Sequence, residues 1–291
     1  MVRYLETNNL IPESQFGFRK YRNTELCLME NINHIINGIQ NNDNLRSIVT
    51  CIDIQKAFDS ININRLLYIM IELKIPKQIV HWYFNFLKNR KYYVNINRKH
   101  SKFKNFKNGV PQGSISGPIL FIIYMSSLDK YLFHNIKRIN FNNNKNYNIN
   151  NNTIMNQYNY ININKILNQY NISIKLFADD MTIITSDNNI NNGINVLQQL
   201  LNLIFEWSIL AKLKFAKGKS ELLLITTSNY EKIKHINNNN INIDLKLIHN
   251  KLNNVKIGMD IIIRKKYIKI FELFIDEALI FTQHLQKIKN K

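Results

Sequence analysis

The sequence predicts an α+β fold, an antiparallel sheet packed on helices, and three observations carry that prediction. Residues 172–177 and 181–185 are rich in β-branched and apolar types and flank Ala178-Asp179-Asp180, so they read as two short strands with a turn between them. Residues 47–54 form a nearly unbroken apolar and β-branched run, as in a strand buried on both faces. Elsewhere, apolar residues recur at helical spacing over several long stretches.

Residues 1–25 are turn-rich, with Pro12 and Gly17. Within them Ser14-Gln15-Phe16-Gly17-Phe18-Arg19 sets two phenylalanines about a glycine, which points to a tight backbone approach. Leu26, Met29, Ile32, Ile36 and Ile39 then predict one core-facing helix. The strand at 47–54 carries Asp53 near its end. A lone charge buried there would cost several kcal/mol or shift its pKa, so a metal ion or an open sheet end must accommodate it.

Two further helices are expected, over residues 64–73 and around Ile79, Tyr83, Phe86 and Leu87. The aromatic run from Trp82 to Phe86 reads as core by its spacing, or as a base-stacking platform. Lys88 to Arg98 alternates and predicts a basic hairpin strand. Gly109-Val-Pro-Gln-Gly-Ser114 is a punctuated loop ahead of a buried helix. It either admits a backbone or phosphate closely or is a plain turn with a cap.

From 140 to 171 asparagine alternates with Ile, Tyr and Lys without a stable period, which predicts a low-complexity insertion, largely disordered and expendable. A second asparagine run spans 237–240. Ile194, Leu197, Leu201, Ile204 and Trp207 mark another amphipathic helix, followed by a strand at 222–225. Gly218-Lys219-Ser220 mimics the end of a phosphate-binding loop, but that loop needs glycine where Leu213 stands. The tail, 229–291, is basic and mixed.

The chain has 291 residues, with 39 Lys and Arg against 20 Asp and Glu, a formal net charge of +19. Such an excess suits a polyanionic partner, nucleic acid first. It also suits a lysine bias that would inflate Asn, Ile and Tyr, all abundant here. Two cysteines are too few for a disulfide framework and lack zinc spacing, which fits a reducing compartment. No stretch is apolar for long enough to span a bilayer. The expectation is an intracellular protein, in nucleus or cytoplasm, without a membrane partner. Nothing in the sequence sets its oligomeric state.

Asp53 ends one strand, and Asp179 and Asp180 tip a hairpin. An Asp-Asp turn alone reads equally as a solvated turn. If neighbouring strands bring all three together, the hard oxygen set suits two Mg²⁺ ions and in-line phosphoryl transfer.

With these residues in view, the chain resembles a reverse transcriptase of the non-LTR (LINE-like) retrotransposon type. Gln15-Phe-Gly-Phe-Arg19 resembles the block before the catalytic strands. Asp53-Ile-Gln-Lys-Ala-Phe-Asp59, Gly109-Val-Pro-Gln-Gly-Ser114, Phe177-Ala-Asp-Asp180 and Lys214-Phe-Ala-Lys-Gly-Lys-Ser220 resemble the four following motifs, in order. The resemblance implies a right-hand polymerase palm with partial fingers and little or no thumb. It divides the chain into partial fingers (1–46), palm and fingers with the first two catalytic motifs (47–134), the insertion (135–172), palm with the third and fourth motifs (173–228) and a post-palm tail (229–291).

The implied activity is RNA-directed DNA polymerisation by two-metal nucleotidyl transfer. An RNA template, a DNA primer and deoxynucleoside triphosphates would be its partners. Asp53, Asp179 and Asp180 would hold two Mg²⁺ ions. Lys219 would protonate the leaving pyrophosphate, unless it is a solvated surface lysine. Phe58, otherwise a core residue, would pack under the sugar. Gln112, Gly113 and Arg19 would line the nucleotide and template side. Some positions depart from the family pattern: Ser116-Gly117 precedes Pro118 where Leu-Ser is usual, Ala216 stands for an asparagine, and Phe271-Glu272 for Leu-Gly. No upstream Arg-Pro-Ile block is seen, so a truncated retroelement fragment is expected. A group II intron-type reverse transcriptase/maturase and an inactive nucleic-acid-binding remnant are the alternatives.

Overall fold

The computed structural model describes residues 1–40, 46–139, 163–225, 248, 250–277, 279 and 281–289. Its centre is a five-stranded sheet. Strand β1 (Arg46–Ile52) lies in the middle, antiparallel to β7 (Asp180–Asp187) on one side and β8 (Glu221–Ile225) on the other. Strand β6 (Ile172–Phe177) completes the hairpin with β7, and β11 (Ile263–Arg264) runs parallel beside β8.

Side-chain alternation divides the sheet into two buried faces. Ile48, Ile52, Ile174, Leu176, Met181, Ile183, Leu222 and Leu224 point into the main core. There they meet α4 (Ile63–Glu72), α6 (Gly117–Asn135) and α8 (Ile190–Leu210). Val49, Ile184, Leu223 and Ile225 point the other way, onto Ile35 of α2 (Thr24–Gln40) and onto a hairpin of β12 (Tyr267–Ile270) and β13 (Leu273–Asp276). This two-sided burial explains why β1 reads as an unbroken apolar run.

Helix α6 is buried almost all round, and the indole of Trp207 on α8 donates to Ser127 Oγ at 3.0 Å where the two helices meet. Short helices α1 (Val2–Thr7) and α3 (Ala57–Ser60) and the longer α5 (Lys77–Leu87) add Leu5, Ala57, Tyr83 and Leu87 to the main core. Between α5 and α6 the chain forms a ribbon: β2 (Lys91–Tyr92) pairs with β5 (Lys104–Asn105), and β3 (Asn95–Ile96) with β4 (Lys99–His100). Asn97 and Arg98, both at positive φ, turn its tip. A small hairpin of β9 (Lys256–Ile257) and β10 (Asp260–Ile261) packs on α8. Among the described residues no helix is long and apolar enough to cross a membrane.

The structure departs from the sequence expectation in three places. Helix α2 exists, but its buried face runs through Cys27, Asn31, Ile35 and Gly38, while Leu26 and Met29 are exposed. Asn31 and Gly38 are the reason: a buried asparagine and a glycine pressed against Ser186 do not register as apolar positions. The asparagine-rich insertion mostly lies outside the described residues. Its end does not: α7 (Ile163–Leu167) is helical and buries Ile163 and Leu167 in the main core. The tail, expected only as a basic and mixed post-palm segment, adds structure to the palm: β11 joins the central sheet and β12–β13 packs on its second face. The asparagine run at 237–240 lies outside the described residues.

One buried charge stands out. Asp129, on α6, is 5% exposed, and Ser14 Oγ donates to its two carboxylate oxygens at 2.9 and 3.0 Å. Burial pushes its pKa up to about 7. The folded state thus holds a proton that the unfolded chain releases near pH 4. Stability from this group is full below pH 4 and is lost as pH rises toward 7, at about 1.4 kcal/mol per pH unit. Asp129→Asn should flatten that part of the stability–pH curve and raise the melting temperature at pH 8. Parallel curves for variant and wild type would refute the assignment.

Candidate active site

The register of the sheet assembles the acidic residues. Ile52 of β1 pairs with Met181 of β7, so Asp53, the next residue, leaves the sheet beside Asp180. Phe177 pairs with Asp180, and Ala178-Asp179 is the two-residue turn between them. All three aspartates thus stand at one end of the sheet, the end its strands reach together.

Their electrostatics record that proximity. The carboxyl of Asp179, half-buried, is held above the usual range by burial and then by the charge of Asp53. That of Asp180, at the more open edge, is raised by partial desolvation, then by Asp179 and Asp53. Like charges gathered at a partly dry site call for a cation. Lys219 answers in part: its Nζ lies 3.3 Å from Asp53 Oδ2, with a side chain 70% exposed. The loop before it is fixed by backbone bonds to the exit of β1, Gln55 N to Lys214 O and Ala216 N to Asp53 O, each 2.8 Å. Among the described residues, no three acidic, His or Cys side chains stand close enough, as placed, to form a ligand cluster. The donor set fits a hard divalent cation by chemistry and charge, but the side chains must turn to close around it.

The remaining expected residues fall in several places. Phe58 is partly buried and stacks on Phe121, ring centroids 4.6 Å apart, with Phe18 edge-on at 6.1 Å. It packs against the main core. The loop 109–114 packs on the first motif: Gly109 N donates to Ile61 O at 2.7 Å, and Val110 N to Phe58 O at 3.0 Å. A Cβ at Gly109 would lie 2.8 Å from Asp59 Cα, so the close approach requires glycine. Gln112 is exposed and donates to Asp59 Oδ1 at 3.4 Å, and Gly113 sits beside it in open space.

Arg19 lies on the N-terminal loop. Its guanidinium is engaged by Glu6 through two bonds, 3.1 and 2.7 Å, and donates to Pro12 O at 2.9 Å. With its side chain only 11% exposed, it braces the N-terminal loop. The aromatic run on α5 divides: Tyr83 is buried, while Trp82 is 56% exposed and stacks on Phe86.

Sequence reasoning missed Gln15. It is 1% exposed, and residues 14–16 pair with β6 as an extra edge, Leu176 N to Ser14 O at 2.8 Å and Phe16 N to Leu176 O at 2.7 Å. Gln15 Oε1 accepts from Ala178 N at 3.0 Å and Gly17 N at 2.8 Å, and Nε2 donates to Ala178 O at 3.3 Å. The side chain therefore grips the residue preceding Asp179. The available signal was the tight segment itself, a long amide between serine and two phenylalanines.

Known proteins resemble this chain in sequence and in fold. The family described as "Reverse transcriptase (RNA-dependent DNA polymerase)" matches residues 1–242. The RNA-directed DNA polymerase from mobile element jockey of Drosophila funebris is 26% identical over 223 residues, 77% of this chain and 21% of that protein. The probable RNA-directed DNA polymerase from transposon X-element of Drosophila melanogaster is 32% identical over 128 residues, 43% of this chain and 13% of that protein. The chain thus spans about a fifth or less of the length of these relatives. In fold it is similar to apo telomerase from Candida tropicalis truncated from its C-terminal domain, with a TM-score of 0.51 and 12% identity over 96% of this chain and 42% of that one. The mixed α+β architecture with its antiparallel central sheet is that of a polymerase palm, and the chain belongs to the reverse transcriptase family.

Proposed function

We propose that the chain carries the RNA-directed DNA polymerase centre of a non-LTR retrotransposon-type reverse transcriptase, extending a DNA primer on an RNA template. The observation that carries this reading is the register that sets Asp53 beside Asp180 and Asp179 at one end of the sheet. Reverse transcriptases use divalent metal ions, and here Asp53, Asp179 and Asp180 would hold two Mg²⁺. Once bound, these ions supply Lewis acidity to the primer 3′-hydroxyl and neutralise the triphosphate.

The chain's own residues do the positioning. Lys219, now paired with Asp53, would be free to protonate a leaving pyrophosphate once Asp53 held a cation. Phe58, held flat by Phe121, gives the incoming sugar a rigid wall. Gln112 and Gly113, exposed on the loop anchored to Asp59, meet the nucleotide and template. Arg19 acts on this site only through the loop it braces.

The test is primer extension on poly(rA)/oligo(dT) with Mg²⁺. Incorporation should occur, cease with EDTA, and fall at least about a hundredfold in Asp53→Asn. A folded chain that binds the template yet incorporates nothing at any Mg²⁺ concentration would overturn the polymerase reading and leave a binding role.

A further inference from the structure

We infer that the ribbon between α5 and α6 is a surface for single-stranded nucleic acid, separate from the three aspartates. Charge is the first support. From Lys88 to Lys107, eight of 20 residues are Lys or Arg and none is Asp or Glu. From Leu73 to Leu128 there are ten against none, about half of the chain's net charge in under a fifth of its length. With no carboxylate in the segment, Lys91, Arg98, Lys99, Lys102 and Lys104 project into solvent as a cationic strip.

The second support is aromatic. Tyr93 is 46% exposed and Phe103 69%. Phe103 meets Tyr93 edge-on at 5.1 Å, and His100 meets it at 5.0 Å. Edge-on packing occupies the face of only one ring in each pair, and both Tyr93 and Phe103 stay largely exposed to solvent. Open π-faces among lysines offer what unpaired bases and phosphates need, whereas duplex bases already stack on one another. A second copy of the chain is disfavoured here, because two such strips repel.

The third support is where the ribbon is rooted. Arg90 stacks on Phe106 at 4.6 Å and donates to Gly109 O at 2.5 Å, while Phe106 N donates to Arg90 O at 2.7 Å. Gly109 opens the loop that carries Gln112. A strand lying along the ribbon is therefore led by a stiff base toward the loop that packs on residues 58–61.

The experiment is fluorescence anisotropy with labelled oligo(U) and oligo(dT), each about 12 nucleotides long, without Mg²⁺ or nucleotides. The double variant Tyr93→Ala/Phe103→Ala should bind about tenfold more weakly. Lys99→Glu/Lys102→Glu should also weaken binding and should lower the salt slope by about 0.7 for each phosphate left without its cation. Thermal melting of each variant should match the wild type, since these side chains are exposed. Affinities within twofold of wild type for both variants would overturn the inference. So would a concentration-dependent dimer abolished by the same substitutions, or equal competition by anionic phosphatidylserine vesicles. Asp179→Asn should bind as wild type does, so a failure of polymerase activity leaves this result standing.

Discussion

Asp179→Asn is expected to abolish primer extension while raising the melting temperature. The two effects have one cause. In the folded chain the Asp179 carboxyl is held above its ordinary pKa by burial and by Asp53, and Asp180 is raised by burial, Asp179 and Asp53. A carboxylate raised on folding stabilises only below its unfolded pKa, and that contribution is lost as pH rises through the folded value. At neutral pH the ionised set therefore strains the fold. Removing one charge relieves Asp180 and Asp53 as well, so the variant should melt a few degrees higher at pH 7.5 and no differently near pH 3. The same charge is what a divalent ion needs. Losing it forfeits several kcal/mol of transition-state stabilisation, about a thousandfold in rate. Anisotropy with template should be unchanged. An Asn variant that is inactive but less stable than wild type would show Asp179 to be a structural residue whose loss disturbs the turn.

Much of this site was legible in the sequence because its logic is local. An apolar β-branched run that ends in aspartate, and a hairpin that ends in two, each announce a strand and a charge at its tip. The antiparallel register does the rest. What stayed hidden depends on partners distant in the chain. Arg19 looks available until Glu6 is folded back on it. Asp129 lies in an apolar helix and gives no sign that Ser14 will be its hydrogen-bond donor. The face of α2 is misjudged because Asn31 and Gly38 are core positions without an apolar side chain. Ile163 and Leu167 carry the helical signal of α7, but asparagines dilute it below what periodicity detects.

Gly17→Ala and Gln15→Met should both cripple catalysis without weakening template binding, and Ala178→Gly should restore activity to the second. Ala178 opens the two-residue turn at φ +56°, a region where glycine is at ease and alanine is not. The strained residue is held by Gln15, whose amide satisfies both its N–H and its C=O. Gly17 leaves the room for this: a Cβ there would lie 2.3 Å from Ala178 N and 3.0 Å from its Cα, and neither backbone atom can rotate away. In Gly17→Ala the turn must shift on the order of 1 Å, and a misplacement of that size costs about a hundredfold in kcat. Gln15→Met keeps the volume but leaves two buried N–H groups unpaired, at about 1–3 kcal/mol each. The turn then relaxes, Asp179 moves, and the Mg²⁺ concentration for half-maximal rate rises. Glycine at 178 needs no grip to hold a positive φ, so the Gln15→Met/Ala178→Gly double variant should recover much of the rate and of the Mg²⁺ dependence. A loss caused merely by poorer packing around Gln15 would not be rescued from the far side of the turn. Failure of that rescue, with the double variant folded, would show that Gln15 supports the loop and leaves the aspartates to position themselves.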